Sequence, residues 1–408
     1  MTDTILVTGG TGNIGRNLVA ELRDAGADFR VMSRRPAAAA ALLPPGTTVV
    51  PGDLTDIESL DRALAGVDTV FLLWPFLGSD GIKDVVATIA AHARRVVYVS
   101  ALHVTDDDPR AAGVWGEVEH AITEAGLDHT FLRASGFATN TLAWAGAVRD
   151  HGSVRIPYPM AKRSLIHEGD IAAVAARVLT ESGHSGRSYV LTGPAAISQA
   201  DQVAAIGEAV GRPVDLAAQP PDEARAEMLT WGDAPFVDHA LAYWASLETT
   251  PEPVTTTVQE ILGWPARTFA EWARDHADDF TVLTTAVVAD RYVDAFRAGR
   301  MDRALRLAAP DVVRVAPLEG GPERRGLDEI MSHSARLNAD LEIHAVTVDG
   351  PFLEAGGDRF AVRFAFDETH RPTGRRLLAT KLSLYTVTAG AISREEVFHL
   401  TPPAAPAA

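Results

Sequence analysis

The stretch Thr4-Ile5-Leu6-Val7-Thr8-Gly9-Gly10-Thr11-Gly12-Asn13-Ile14-Gly15-Arg16 sets the reading of the N-terminal half of the chain. An apolar, β-branched run forms a strand, and Gly9, Gly12 and Gly15 then recur at three-residue spacing. Such a turn lets bare backbone approach a pyrophosphate and packs the next helix close to its strand. A helix is predicted from Asn17 to Ala25, its N-terminal amides aimed at that phosphate, and a second strand at Phe29-Arg30-Val31-Met32. Strand, turn, helix and strand together point to dinucleotide binding. The contacting loop is Thr8, Gly9, Gly10, Thr11, Gly12, Asn13, Ile14 and Gly15.

Further apolar runs stand at Thr48 to Asp53, Thr69 to Leu73, Arg95 to Ser100 and Asp128 to Arg133, each separated by helical periodicity. Strands alternating with helices predict an α/β, doubly wound parallel sheet, whose ligand lies at the carboxyl ends of the strands. Those ends carry Ser33-Arg34-Arg35, Asp53-Leu54, Leu73-Trp74-Pro75, Ser100-Ala101 and Arg133-Ala134-Ser135. An acidic residue after the second strand would favour NAD. Ser33, Arg34 and Arg35, with Arg16 past the third glycine, offer positive charge for a 2′-phosphate and favour NADP.

The first 150 residues are read as the cofactor-binding core, and 151–280 as the part that covers the cofactor and shapes the substrate pocket, with helices near 170–180, 199–210 and 222–247. Past Phe280 the order changes. Helices at 285–298 and 301–308, a strand at Val312-Val313-Arg314-Val315, a helix from Leu327 to Leu337 and strands at 341–348, 359–367, 376–387 and 391–400 predict a separate α+β domain over 283–401 with antiparallel strands. Residues 402–408 read as a disordered tail.

Composition narrows the function classes. A net charge of −17 argues against nucleic acid as partner. The absence of cysteine removes disulfides and thiolate chemistry, and the 13 histidines show no metal-ligand spacing. No stretch approaches the ~20 apolar residues of a membrane span. The strand that begins within four residues leaves no room for a signal peptide, so a cytoplasmic protein is expected.

The first 280 residues resemble the atypical short-chain dehydrogenases that include NmrA-like proteins and NADPH-dependent quinone reductases, on a Rossmann-type sheet. The resemblance rests on Thr8 to Gly15, on Gly52-Asp53-Leu54, on Leu132-Arg133-Ala134-Ser135-Gly136-Phe137 with Asn140, and on Ile261-Leu262-Gly263-Trp264-Pro265-Ala266-Arg267-Thr268-Phe269-Ala270-Glu271-Trp272. It implies a nucleotide loop, an adenine-contacting turn at Asp53 and Leu54, and a strand-to-substrate segment ending at Phe137 and Asn140. Residues 283–400, through their element pattern and the closing Gly390-Ala391-Ile392-Ser393-Arg394-Glu395-Glu396-Val397-Phe398, resemble a SnoaL-like domain of the NTF2-like cone fold. That likeness implies a small-molecule pocket and a homodimer.

Classical members of the superfamily place a serine after the fifth strand and a Tyr-x-x-x-Lys pair on the next helix. Ser100 occupies the serine position, but the helix reads Ala111-Ala112-Gly113-Val114-Trp115-Gly116-Glu117-Val118-Glu119-His120 and has neither tyrosine nor lysine. Ser100 and His103 are the remaining catalytic candidates. Trp74, Trp115, Phe137, Asn140 and Trp231 are candidates for an aromatic-lined substrate pocket. The expectation is an NADPH-dependent reductase of a quinone, enone or carbonyl in a polycyclic aromatic intermediate, with the SnoaL-like domain binding or converting the product. The pairing of families implies secondary metabolism, and the alternative is a non-catalytic NADP-binding redox sensor. Strand alternation predicts a mostly apolar cone interior, with Asp294, Arg314, His344 and His399 as its polar candidates.

Overall fold

Seven strands form one parallel sheet: β1 (Ile5–Val7), β2 (Phe29–Ser33), β3 (Val49–Pro51), β4 (Thr69–Leu72), β5 (Arg95–Ala101), β6 (Asp128–Ala134) and β7 (Arg187–Leu191), ordered β3-β2-β1-β4-β5-β6-β7. A computed structural model describes residues 3–281, 283–320 and 323–401, so the expected disordered tail at 402–408 lies outside the described residues. β1 and β4 are buried along their whole length because helices cover both faces of the sheet, which explains their unbroken apolar runs. Strand order reverses between β1 and β4, and the glycine turn leaves β1 at that switch point.

The chain divides into two units, Met1–Arg34 with Gly46–Thr281, and Arg35–Pro45 with Val282–Ala408. In the first, the helix Asn13–Asp24 starts directly after Gly12, earlier than the sequence pattern indicates, and buries Ile14, Leu18, Val19 and Leu22 along one stripe. Beside it packs the helix Glu168–Thr180, whose Ala-rich surface is buried nearly all round. The helix expected over 222–247 is two helices, Pro221–Met228 and Ala234–Ser246. Asp233 caps the second by accepting a hydrogen bond from the Phe236 amide, and Pro235 sits in its first turn, so the break is a new helix start.

His276 fastens the end of this unit. Its Nε2 lies 2.8 Å from Glu168 Oε1 and its Nδ1 lies 2.8 Å from Asp279 Oδ2, while its ring stacks on Trp272. Burial alone would lower the imidazole pKa, but the hydrogen bonds to Asp279 and Glu168 outweigh it and raise the value to about 9.

The second unit carries a six-stranded sheet: β8 (Ala308–Val315), β9 (Arg324–Arg325), β10 (Leu341–Leu353), β11 (Arg359–His370), β12 (Arg375–Thr388) and β13 (Ala391–His399), ordered β9-β8-β13-β12-β11-β10. Only β8 and β13 run parallel; the other pairs are antiparallel. The expected helix over 301–308 stops at Leu305, and Ala308 already begins β8. Val288, Ala289 and Val293 of the helix Thr285–Arg297 pack with Phe360, Val362, Phe364 and Tyr385 in the core. Register corrects the expected apolar wall. Phe360, Val362 and Phe364 face Tyr385, Ser383 and Lys381 across the ladder, so these polar residues share the buried face. Asp294 and His344 are not interior groups: Asp294 is solvent-exposed, and His344 sits exposed on the edge strand β10, where it bonds Thr369 of β11.

Since His276 has a higher pKa folded than unfolded, its stabilisation is fully present below about pH 6.5 and fades as pH rises toward 9. Thermal denaturation from pH 6 to 10 should show a loss of roughly 2–3 kcal/mol over that window, and His276→Gln should flatten it.

Candidate active site

The glycine loop is built for close approach. Gly9 holds a left-handed φ of +65°, and a Cβ on Gly15 would come within 2.2 Å of the Gly9 carbonyl oxygen. The loop and the first helical turn touch through backbone alone. No side chain caps the N-terminus of the helix Asn13–Asp24, and no acid stands in its first turn, so its amides remain for an anion. A pyrophosphate fits this cradle. Thr8 plays a different part, since its hydroxyl donates to the Phe71 carbonyl (3.1 Å) and accepts from the Leu73 amide (2.8 Å), tying the loop to the end of β4.

At the neighbouring strand ends, Arg34 is exposed after Ser33. Arg35 opens the segment that belongs to the second unit, where it pairs with Asp328. Asp53 organises its own turn, its carboxylate accepting from the Thr55 amide and hydroxyl (2.9 Å each), while Leu54 is buried. Trp74 donates through Nε1 to the Gly78 carbonyl and meets Phe76 edge-on.

Beneath the end of β5 lies a group the sequence reading missed. Ser100 donates to Glu119 Oε1 at 2.5 Å, and Arg133 grips the same carboxylate in a fork, Nε to Oε1 at 3.0 Å and Nη2 to Oε2 at 2.6 Å. Asp106 closes the far side of Arg133 at 2.7 Å. Glu119 is 1% exposed and Arg133 6%, so both charges are inside the protein. The helix Val114–Glu124 therefore carries a fixed, buried carboxylate and neither tyrosine nor lysine. Tyr98 does not replace it: its hydroxyl is buried with no hydrogen-bond partner among the described residues, and burial together with Glu119 pushes its pKa far above the usual phenol range. The sequence did hold a signal, since Glu119 stands between the buried Val118 and Ile122 and Arg133 directly follows the apolar pair Phe131-Leu132.

A second buried carboxylate, Glu252, comes from the Pro251-Glu252-Pro253 break. It accepts from the Tyr243 hydroxyl (2.7 Å), the Ser164 amide (2.8 Å) and Arg163 Nε (3.2 Å). Gly136, two residues past β6, makes room for Arg163, whose Nη2 would lie 2.1 Å from a Cβ there. His103 stands edge-on to Trp115 with centroids 5.2 Å apart. Desolvation lowers its pKa and His239 lowers it further, against smaller opposing effects from the Ala112 carbonyl and Glu252, so the ring is neutral near pH 7. Phe137 is half-buried beside this segment, Asn140 is exposed, and Trp231, 60% exposed, meets only Phe236 among aromatic rings. The structure thus brings His103 and Trp115 together and leaves Trp231 at the surface.

Residues 9–182 match an NAD(P)H-binding family model, and residues 289–395 match a SnoaL-like domain. Over 68% of this chain and 99% of its own length, an NAD(P)H azoreductase of Xenophilus azovorans is 37% identical. A (4-alkanoyl-5-oxo-2,5-dihydrofuran-3-yl)methyl phosphate reductase of Streptomyces griseus is 36% identical with the same coverages. Among solved structures, an NADPH-dependent quinone oxidoreductase of Escherichia coli complexed with NADPH superposes with a TM-score of 0.57 at 26% identity, over 66% of this chain and 99% of that one. Fold and loop define an NAD(P)H-binding protein of the atypical short-chain dehydrogenase type. The chain belongs to the NmrA-like, quinone-reductase-like family and carries a SnoaL-like domain behind it.

Removing one partner of the buried pair leaves the other charge uncompensated. Glu119→Ala should cost about 3–5 kcal/mol in urea unfolding, whereas the joint change Glu119→Leu with Arg133→Met should cost far less.

Proposed function

We propose that this protein is an NADPH-dependent reductase of a quinone, enone or activated carbonyl in a polycyclic aromatic intermediate, and that its SnoaL-like unit then binds or converts the product by cyclisation, isomerisation or cofactor-free oxygenation. The observation that carries the reading is the Glu119–Arg133 fork at the place of the usual acid. With no proton donor there, turnover belongs to acceptors that stabilise their own anion. A quinone does so by conjugation across its ring.

Bound in the crevice, NADPH supplies a hydride. The amides of the glycine loop hold the pyrophosphate, Arg34 meets the 2′-phosphate, and Trp74, Trp115 and Phe137 flank a planar acceptor. His103 lies beside Trp115 at this end of the crevice, and the proton that completes a hydroquinone comes from solvent. The relatives named as a quinone oxidoreductase and an azoreductase support this substrate class, because both names describe conjugated acceptors. We place the enzyme in the cytoplasm, in secondary metabolism, as a homodimer. The exposed Leu378 and Phe398, on the outer face of the second sheet, support that pairing.

The direct test is NADPH oxidation by the whole chain with a panel of quinones, enones and simple ketones. Turnover should favour quinones and be absent with unactivated ketones. Tight binding of NADP⁺ and NADPH without turnover on any acceptor would replace this reading with a redox sensor. Arg34→Ala should weaken NADPH by about tenfold or more and leave NADH nearly unchanged, as loss of a charge-assisted phosphate contact requires. Equal loss for both cofactors would contradict the phosphate assignment.

A further inference from the structure

Residues 162–167 run alongside the segment that leaves β6. The Ser135 hydroxyl donates to the Ser164 carbonyl at 2.6 Å, the Ile166 amide to the Gly136 carbonyl at 3.0 Å, and the Ala138 amide to the Ile166 carbonyl at 2.9 Å. Arg163 therefore stands just past the carboxyl end of β6, where a sheet of this kind takes its ligand. Its guanidinium lies over Gly136, where a Cβ would come within 2.1 Å of Nη2 and 2.7 Å of Cζ. From the neighbouring strand, His103 follows β5 by two residues and feels the charge of Glu252, the carboxylate behind Arg163. The two sides of the crevice meet here.

The way Glu252 holds Arg163 differs from the Glu119–Arg133 fork. In the fork the carboxylate takes two guanidinium nitrogens, and Asp106 takes Nη2 from the far side. Glu252 takes only Nε of Arg163, at 3.2 Å, and its oxygens also accept from the Tyr243 hydroxyl at 2.7 Å, the Ser164 amide at 2.8 Å and the Ser164 hydroxyl at 3.3 Å. Burial and the Glu252 charge push the Tyr243 phenol well above its usual range, so it stays a donor. With its negative charge spread over these donors, Glu252 braces the guanidinium without covering it. Nη1 and Nη2 have no hydrogen bond among the described residues. The side chain is 16% exposed, which is shelter enough to strengthen its field and opening enough for a ligand atom to reach it. A brace that served stability alone would have used the whole fork.

We infer that Arg163 is a catalytic residue of the first unit: its two free nitrogens take the acceptor oxygen on which charge collects as the hydride arrives, with Glu252 and Tyr243 as positioning residues behind it. Two electrons and one hydrogen pass from NADPH to the acceptor, leaving NADP⁺, and the displaced π pair of a conjugated C=O settles on its oxygen. Solvent then protonates that oxygen. A guanidinium keeps its proton throughout, so it lowers the energy of the developing anion without acting as an acid. The inference rests on the reductase reading above, and it supplies the stabilisation that the Glu119–Arg133 fork withholds.

The test uses the full chain and a series of 1,4-naphthoquinones whose substituents change the acidity of their hydroquinones. Arg163→Gln should lower kcat about 100-fold and leave NADPH affinity unchanged, and the loss should grow as the hydroquinone becomes less acidic. Arg163→Lys, which keeps the charge, should recover about tenfold of it. Arg163→Gln combined with Glu252→Gln leaves no uncompensated carboxylate and should show the same loss, which separates the effect from misfolding. Tyr243→Phe should lower kcat about threefold with KM unchanged. Turnover by Arg163→Gln within about threefold of the parent, or a loss equal for every quinone, would overturn the assignment. Binding of 4-nitrophenolate to the NADP⁺-loaded chain, read by its absorbance shift, carries the test outside catalysis. The anion should bind the parent about tenfold tighter than Arg163→Gln, and neutral 4-nitroanisole should bind both alike; equal affinity of the anion for both forms would also overturn the assignment. Arg163-dependent phenolate binding in a parent that turns over no quinone would fell the reductase reading alone, and quinone turnover indifferent to Arg163 would fell this assignment alone.

Discussion

A carboxylate and a guanidinium locked together under the carboxyl ends of β5 and β6 decide what the first unit can do. Taking Glu119 and Arg133 out of water is expensive, and only two-point geometry with further partners offsets that cost. Here the fork is complete, with Ser100 donating from one side and Asp106 accepting on the other. The pair joins the helix Val114–Glu124 to β6 as firmly as a packed core contact would. It also removes a proton donor from the place where this superfamily usually keeps one. A structural solution in that helix has become a chemical constraint on the acceptor.

The second unit makes the opposite use of buried charge. Around Glu119 both carboxylate oxygens have donors, whereas beside Glu319 the guanidinium nitrogens Arg314 Nε and Arg324 Nη1 are buried with no partner among the described residues. A satisfied network rigidifies its surroundings, and a buried donor left unpaired costs stability.

The parallel sheet was legible because its signals are local. Gly15 is required by a close backbone approach that any side chain would block, and β1 and β4 are apolar throughout because both their faces are covered. The helix break near Trp231 was missed because apolar spacing continues through it, and only Asp233 and Pro235 mark the restart. Partnership between distant residues was less legible still. Glu119 and Arg133 are 14 positions apart, and neither the helix pattern nor the strand pattern links them. In the second sheet, alternation along β11 and β12 gave two faces correctly, but register decides which face of one strand meets which of the next. Alternation puts Phe364 on an apolar face and Lys381 on a polar one, and the ladder pairs the two.

The account turns on whether reduction proceeds without a protein acid, and isotope effects on quinone reduction measure that directly. With NADPH deuterated at the transferred position, the rate of the chemical step should fall, while replacing water by D2O should change it little across pH 6 to 8. A large solvent isotope effect on the same step, together with a rate that follows a single ionisation in that range, would show a protein group delivering the proton and would contradict the account.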